Sequence, residues 1–255
     1  MDLQLKGRSA WITGGSKGIG RACGQILADE GCSSILLISR TKDDLEVAAE
    51  NIRQKTDASV EIYPADLSDG EVVRELWASR PAPDILVNNA GAIPAGTLID
   101  VDEDRWREAW DLKVFGYINM CREAFSRMTE RGSGVIVNVI GAGGDKPTAT
   151  YIAGGGGNAA LMAITKALGA TSTPKGVRVV GINPGLIWTE RLETQMRRHA
   201  TRRLGSPDRW QELLDPKNPP GKPEHIASMV AFLASDLSSN TTGVVFTIDG
   251  GSSAR

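Results

Sequence analysis

Cysteine is scarce in this chain: Cys23, Cys32 and Cys121 are the whole supply, odd in number and widely spaced. That spacing holds neither a disulfide framework nor a metal-ligand motif, so no metal site is expected and a reducing, cytoplasmic setting is. The three are read as buried thiols. Strong charge bias is also missing. Lys and Arg number 29 against 31 Asp and Glu, a net charge of -2, which gives no general affinity for nucleic acid or anionic membrane surfaces. No apolar run approaches the roughly 20 residues of a membrane helix, and residues 1–6 lack a signal-peptide pattern. Internal repeats, low-complexity tracts and linkers are absent too. What remains is 255 residues, 41% hydrophobic, most simply one α/β domain over 1–255.

Glycine, by contrast, is abundant, with 29 residues concentrated in a few loops. The stretch Thr13-Gly14-Gly15-Ser16-Lys17-Gly18-Ile19-Gly20 follows a strand-like apolar run and precedes a helical pattern. In that setting glycines let the backbone turn tightly and approach a ligand. The helix N-terminus then directs unpaired N–H groups at a phosphate. A dinucleotide site is therefore expected here, built on Gly14, Ser16, Lys17, Gly18, Ile19 and Gly20; the alternative is a plain Gly-rich turn.

Apolar runs near 9–13, 34–39, 60–64, 84–88, 134–140, 177–182 and 243–248 alternate with helical patterns near 19–30, 42–55, 69–78, 102–130, 158–172 and 223–235. Such alternation predicts a parallel sheet covered by helices on both faces. Residues 187–220, rich in Arg and Pro, read as an irregular lid or insertion.

The second strand ends in Ser39-Arg40, where a site for NAD usually carries an acid about 20 residues past the glycines. Arg40 and Lys17 without a carboxylate fit a ribose 2′-phosphate, predicting NADP(H) over NAD(H). Asp43-Asp44 could instead pair with Arg40. Asp66-Leu67 and Asn88-Asn89-Ala90-Gly91 fall at strand C-terminal ends, where open α/β sheets bind ligands. Asp66 and Ser68 are also good helix caps.

With these motifs in hand, the chain resembles the classical short-chain dehydrogenase/reductase family over nearly its whole length. Ile136-Val137-Asn138-Val139, Asn183-Pro184-Gly185 with Thr189, residues 221–227 and Thr247-Ile248-Asp249-Gly250-Gly251 resemble its later motifs in order. The resemblance implies a doubly wound Rossmann-type fold, a seven-stranded parallel sheet in order 3-2-1-4-5-6-7 and a homodimer or homotetramer. It implies cofactor contacts from Ser39, Arg40, Asp66, Leu67, Asn88, Ala90, Gly91, Pro184, Gly185 and Thr189. It also implies an Asn, Ser, Tyr and Lys tetrad that protonates the alkoxide left by hydride transfer.

Aligned on the family pattern, those four positions hold Lys113, Gly141, Gly154 and Asn158. Lys113, Tyr151 and Asn158 are the remaining candidates for acid–base or polar roles. Each has a bland alternative: Lys113 a lysine satisfied by solvent or a carbonyl, Tyr151 a packing tyrosine, Asn158 a helix cap. The run 154–157 of four glycines predicts a loosened helix start, with a vestigial site, room for a bulky ligand, or an anion-binding nest. Arg197, Arg198, Arg202 and Arg203 suit an anionic small-molecule substrate, or a solvated helix face paired to Glu193 or Glu212. His199, His225, Asp145, Lys146 and Trp188 read as structural or solvated. Three functions stay open: an NADP(H) oxidoreductase with a non-standard proton donor, an inactive dinucleotide-binding or regulatory protein, and a lyase or isomerase using the vacated pocket.

Overall fold

A computed structural model describes residues 2–254; Met1, the first residue of the N-terminal segment read above, and Arg255 lie outside them. Seven parallel strands form one sheet in the order β3-β2-β1-β4-β5-β6-β7. They are β1 (Ser9–Thr13), β2 (Ser34–Ser39), β3 (Ser59–Pro64), β4 (Ile85–Asn88), β5 (Gly134–Val139), β6 (Val177–Pro184) and β7 (Val245–Ile248). The central strands are apolar without interruption because both faces are covered. Ile12, Leu37, Val137 and Val180 face one core with the helices α1 (Gly18–Asp29), α2 (Lys42–Arg53) and α8 (Pro223–Ala234). Trp11, Leu36, Ile136 and Val179 face the other, against α3 (Gly70–Ala78) and α5 (Gly116–Arg131). The edge strand β3 alternates in burial, as a strand with one solvated side does. All three cysteines are buried and free, and burial pushes their thiols up to about 12. Among the described residues no helix is long and apolar enough to cross a membrane.

Three expectations need correction. The pattern near 102–130 is α4 (Glu103–Trp110), a π-helical turn (Asp111–Phe115) and α5, joined without a break. The pattern near 158–172 is α6 (Ile152–Ala170), whose first turns are the four glycines themselves. Gly155 N–H donates to the Tyr151 carbonyl at 2.8 Å, so the helix is not loosened there. The anion nest falls with it, because Asn158 lies mid-helix. Residues 187–220 are largely ordered as α7 (Glu190–Leu204) and a 3-10 segment (Pro207–Leu213). Arg197 donates to Glu193 at 2.9 Å and Asp208 at 3.0 Å, so the solvated-face reading holds for that arginine. Glu212 pairs with Arg209 instead.

A buried cation ties the far end of the sheet. Arg178 on β6 donates to the carbonyls of Leu233 (2.7 Å) and Ser235 (2.9 Å) and to Ser238 Oγ (3.0 Å), closing the C-terminus of α8. Arg178→Met strips charged donors from buried carbonyls and is expected to lower the unfolding free energy by about 3 kcal/mol. Urea unfolding checks this: the midpoint falls and the slope is unchanged.

Candidate active site

The site lies at the carboxyl edge of the sheet. The glycine loop after β1 carries positive φ at Gly14 (64°) and Gly18 (52°), values that glycine adopts without strain. Helix α1 starts at Gly18, with Lys17 at the cap position and no side chain capping it. Its first N–H groups therefore lack a side-chain partner. Gly20 packs against the Gly14 carbonyl too closely to admit a β-carbon. Ser16 is half-buried in the same loop.

Thr13 joins this loop to the one after β4. Its Oγ1 accepts from the N–H groups of Asn89 (2.9 Å) and Ala90 (3.0 Å), and Asn89 Nδ2 donates back to the Thr13 and Gly14 carbonyls, each at 3.2 Å. Asn88 turns the other way. It is fully buried and donates to Asn138 Oδ1 at 3.0 Å and to Cys121 Sγ. Asn89, outside the expected contact set, lines the cleft in its place.

A cleft of about 740 Å³ runs from Ile19, Asn89 and Gly91 past Pro184 and Gly185 to Lys113, Tyr151 and Asn158. Arg40 and Asp66 border a separate cavity of about 180 Å³. Asp66 is not a helix cap. Its Oδ1 accepts from the N–H and Oγ of Ser68 at 3.0 and 2.8 Å, while Asp69 caps α3. Leu67 is buried in the core, with its carbonyl against Gly116. Arg40 pairs with Asp66 at 3.8 Å, not with Asp43 or Asp44, and Asp44 holds Lys17 at 3.0 Å. The Asp44 carboxylate raises the Lys17 pKa. Ser39 Oγ is buried with no hydrogen-bond partner among the described residues.

Lys113 sits in the π-turn, whose extra residue per turn re-aims the side chain. It is 7% exposed. Its stem crosses Gly91, where a β-carbon would lie 2.5 Å from Lys113 Cδ. Its Nζ donates to Tyr117 Oη at 2.7 Å and to the Val139 carbonyl at 2.9 Å, and Tyr117 Oη donates to the same carbonyl at 2.6 Å. Burial, and then the charge of Arg191, pulls Lys113 down to about 7. Burial pushes the Tyr117 phenol well above its ordinary value.

Gly141 and Gly154 do not face open space. A β-carbon at 154 would run into the Tyr151 ring, and one at 141 would lie 2.8 Å from Asn158 Nδ2. Tyr151 therefore fills the start of the path that a residue-154 side chain would take. Burial raises the Tyr151 pKa. Asn158 is 3% exposed and lines the cleft.

Helix α7 lines one side of the cleft. Thr189 caps it, accepting from Leu192 N–H at 3.2 Å, and its Cγ2 packs at Gly18. Glu190 approaches Lys17 at 3.7 Å. Arg191 donates to the Gly91 carbonyl at 2.5 Å and the Ile93 carbonyl at 3.1 Å. Neither Arg191 nor Tyr117 emerges from sequence: Arg191 bonds to the loop after β4, and Tyr117 donates to the end of β5. Trp188 packs on Trp210 at 5.4 Å between ring centroids, and His225 accepts from Lys222 N–H. Both are structural.

Known proteins share this fold. A family model described as Enoyl-(Acyl carrier protein) reductase matches residues 14–253. The 2-keto-3-deoxy-L-fuconate dehydrogenase of Xanthomonas campestris pv. campestris is 31% identical over 255 residues, 98% of this chain and 81% of that one. L-sorbose reductase of Gluconobacter frateurii, solved with NADPH and L-sorbose, superposes with a TM-score of 0.89 at 29% identity, covering 98% of each chain. NAD+-bound xylitol dehydrogenase superposes at 0.87 with 26% identity, covering 97% of this chain and all of that one. With its sheet order, its glycine loop and these matches, the chain belongs to the short-chain dehydrogenase/reductase family of oxidoreductases.

Proposed function

We propose that this protein interconverts a small carbonyl compound and its alcohol, with NADP(H) preferred over NAD(H), and without a tyrosine hydroxyl at the family position. One observation carries the reading: a single cleft runs from the uncapped glycine-loop helix to the buried Lys113. The residues present fit a phosphate-bearing dinucleotide. The first turn of α1 offers N–H groups without a side-chain cap, and the Ser39 hydroxyl lacks a partner beside Arg40. When bound, the nicotinamide supplies or accepts a hydride. The chain's own part is to hold it with the loops after β1, β4 and β6 and to move a proton at the substrate oxygen.

The preference for NADP(H) rests on Lys17 and Arg40. Both are about half exposed, and both are paired to carboxylates across the surface. Exposed pairs of this kind are screened by solvent and contribute little, so a 2′-phosphate displaces them at little cost. Cations at the cleft, Arg191 and Lys146 among them, suit a substrate with an anionic group. A second reading, a dinucleotide-binding protein without turnover, is favoured by the absence of side chains at Gly141 and Gly154.

We also read the chain as one folded unit with residues 187–220 as its lid, working in the cytoplasm as a homodimer or homotetramer. Buried free thiols support the compartment. The apolar groove between α5 and α6, lined by Ile118, Phe125, Ile164 and Leu168, supports the assembly.

Fluorescence titration is expected to give at least about tenfold tighter binding of NADPH than NADH, about 1.4 kcal/mol. Arg40→Asp is expected to abolish or reverse the preference. Equal affinity for the two coenzymes would remove the NADP(H) assignment. A carbonyl screen on the NADPH-loaded protein separates the reductase from the inactive reading. Light scattering on the eluting protein is expected to give two or four times the 27.2 kDa chain mass; a monomer would remove the assembly.

A further inference from the structure

We propose that Lys113 is the acid–base group of this site, giving its proton to a carbonyl oxygen and taking it back from an alcohol. The proposal rests on the reductase reading above and names the group that the reading leaves open.

The geometry argues from donors. An ammonium has three N–H donors. Two of those on Lys113 meet Tyr117 Oη and the Val139 carbonyl. Tyr117 directs its own proton to that same carbonyl, so it accepts from Lys113 and offers it none. The third donor is left for an oxygen in the cleft, which Lys113 lines.

The surroundings argue by elimination. Tyr151 packs its ring against the helix at Gly154 and is only half-buried. His199 lines the same cleft from the exposed side of α7, and Lys146 and Asp249 sit on its rim. Among the described residues lining the cleft, only Lys113 is both titratable and buried, and it has a donor to spare. Asn158 lies on the neighbouring helix. It is 3% exposed, lines the cleft and makes no side-chain hydrogen bond among the described residues. Its side chain reaches the cleft, where a substrate oxygen would meet the amide. The resemblance puts an amide at 113 and an ammonium at 158. Here the two groups have traded places, so the site keeps one cation and one amide.

The step balances simply. A C–H bond forms from the hydride of the nicotinamide dinucleotide, and an O–H bond forms from the Lys113 proton. The carbonyl is reduced, the dinucleotide is oxidised, and Lys113 is left as the neutral amine until solvent recharges it. An acid–base group works best when both forms are populated at the working pH. Burial and the Arg191 charge bring Lys113 to about 7, which meets that condition.

The test uses the intact chain. In ligand-free protein labelled with 13C,15N-lysine, the Lys113 ε-carbon resonance, assigned by its loss in Lys113→Met, is expected to titrate near pH 7. A lysine in a short peptide titrates near 10.4. Arg191→Gln removes a neighbouring cation and is expected to move the Lys113 midpoint upward. Lys113→Met keeps the stem and drops the charge. It is expected to bind NADPH as the parent does and to lose at least about 100-fold in carbonyl reduction. Lys113→Arg, which cannot release its proton, is expected to show the same loss. In the parent, reduction requires charged Lys113 and so falls as pH rises through 7; alcohol oxidation rises over the same range. A Lys113 midpoint near 10, or a Lys113→Met variant within tenfold of the parent, overturns the assignment alone. A parent that turns over no carbonyl or alcohol overturns the reductase reading, and the assignment with it.

Discussion

The carboxyl edge of the sheet depends on how β1 and β4 are held together. One threonine does most of this. Thr13 Oγ1 takes two backbone N–H groups from the loop after β4, and Asn89 returns its amide to the glycine loop. These bonds satisfy buried backbone groups that neither strand ladder reaches. They also set the distance between the two walls of the cleft. A second chain of buried amides runs deeper, from Asn88 to Asn138 and on to Thr165 at 2.9 Å. It fixes β4, β5 and α6 in one frame. Lys113 is tied to that frame through the Val139 carbonyl at the end of β5.

Crowding explains several glycines better than emptiness does. Gly91 leaves room for the Lys113 stem, Gly141 for the Asn158 amide and Gly154 for the Tyr151 ring. Seen along the chain, these positions suggest a centre stripped of side chains. In space, each is filled by a neighbour arriving from another element. The site has exchanged the origin of its side chains and kept its volume occupied.

The sheet was legible because its strands are apolar on both faces, and that pattern survives without knowledge of partners. Strand order was implied by the resemblance to the family and is the order observed. The start of α6 was not legible. Local propensity penalises four glycines in a helix by about 1 kcal/mol each, but close packing against Tyr151, Val114 and Gly143 outweighs the penalty here. Helix α7 was obscured by its lack of apolar residues; only Leu192 and Ala200 are buried on it. Arg191, Tyr117 and Asn89 act through partners from 22 to 100 positions away, a distance no local pattern encodes. The π-turn that aims Lys113 has no sequence signature of its own.

Helix α7 grips the two walls of the cleft with bonds of different kinds. Glu190 meets Lys17 as an exposed ion pair, with side chains 77% and 51% accessible. Arg191 meets neutral carbonyls through directed hydrogen bonds. Dissolved salt screens the first over about 8 Å at physiological ionic strength and barely touches the second. As ionic strength rises, the grip on the glycine loop weakens while the grip on the loop after β4 stays. The cleft is thus hinged on one side by chemistry rather than by chain, and its two walls respond unequally to the same solution.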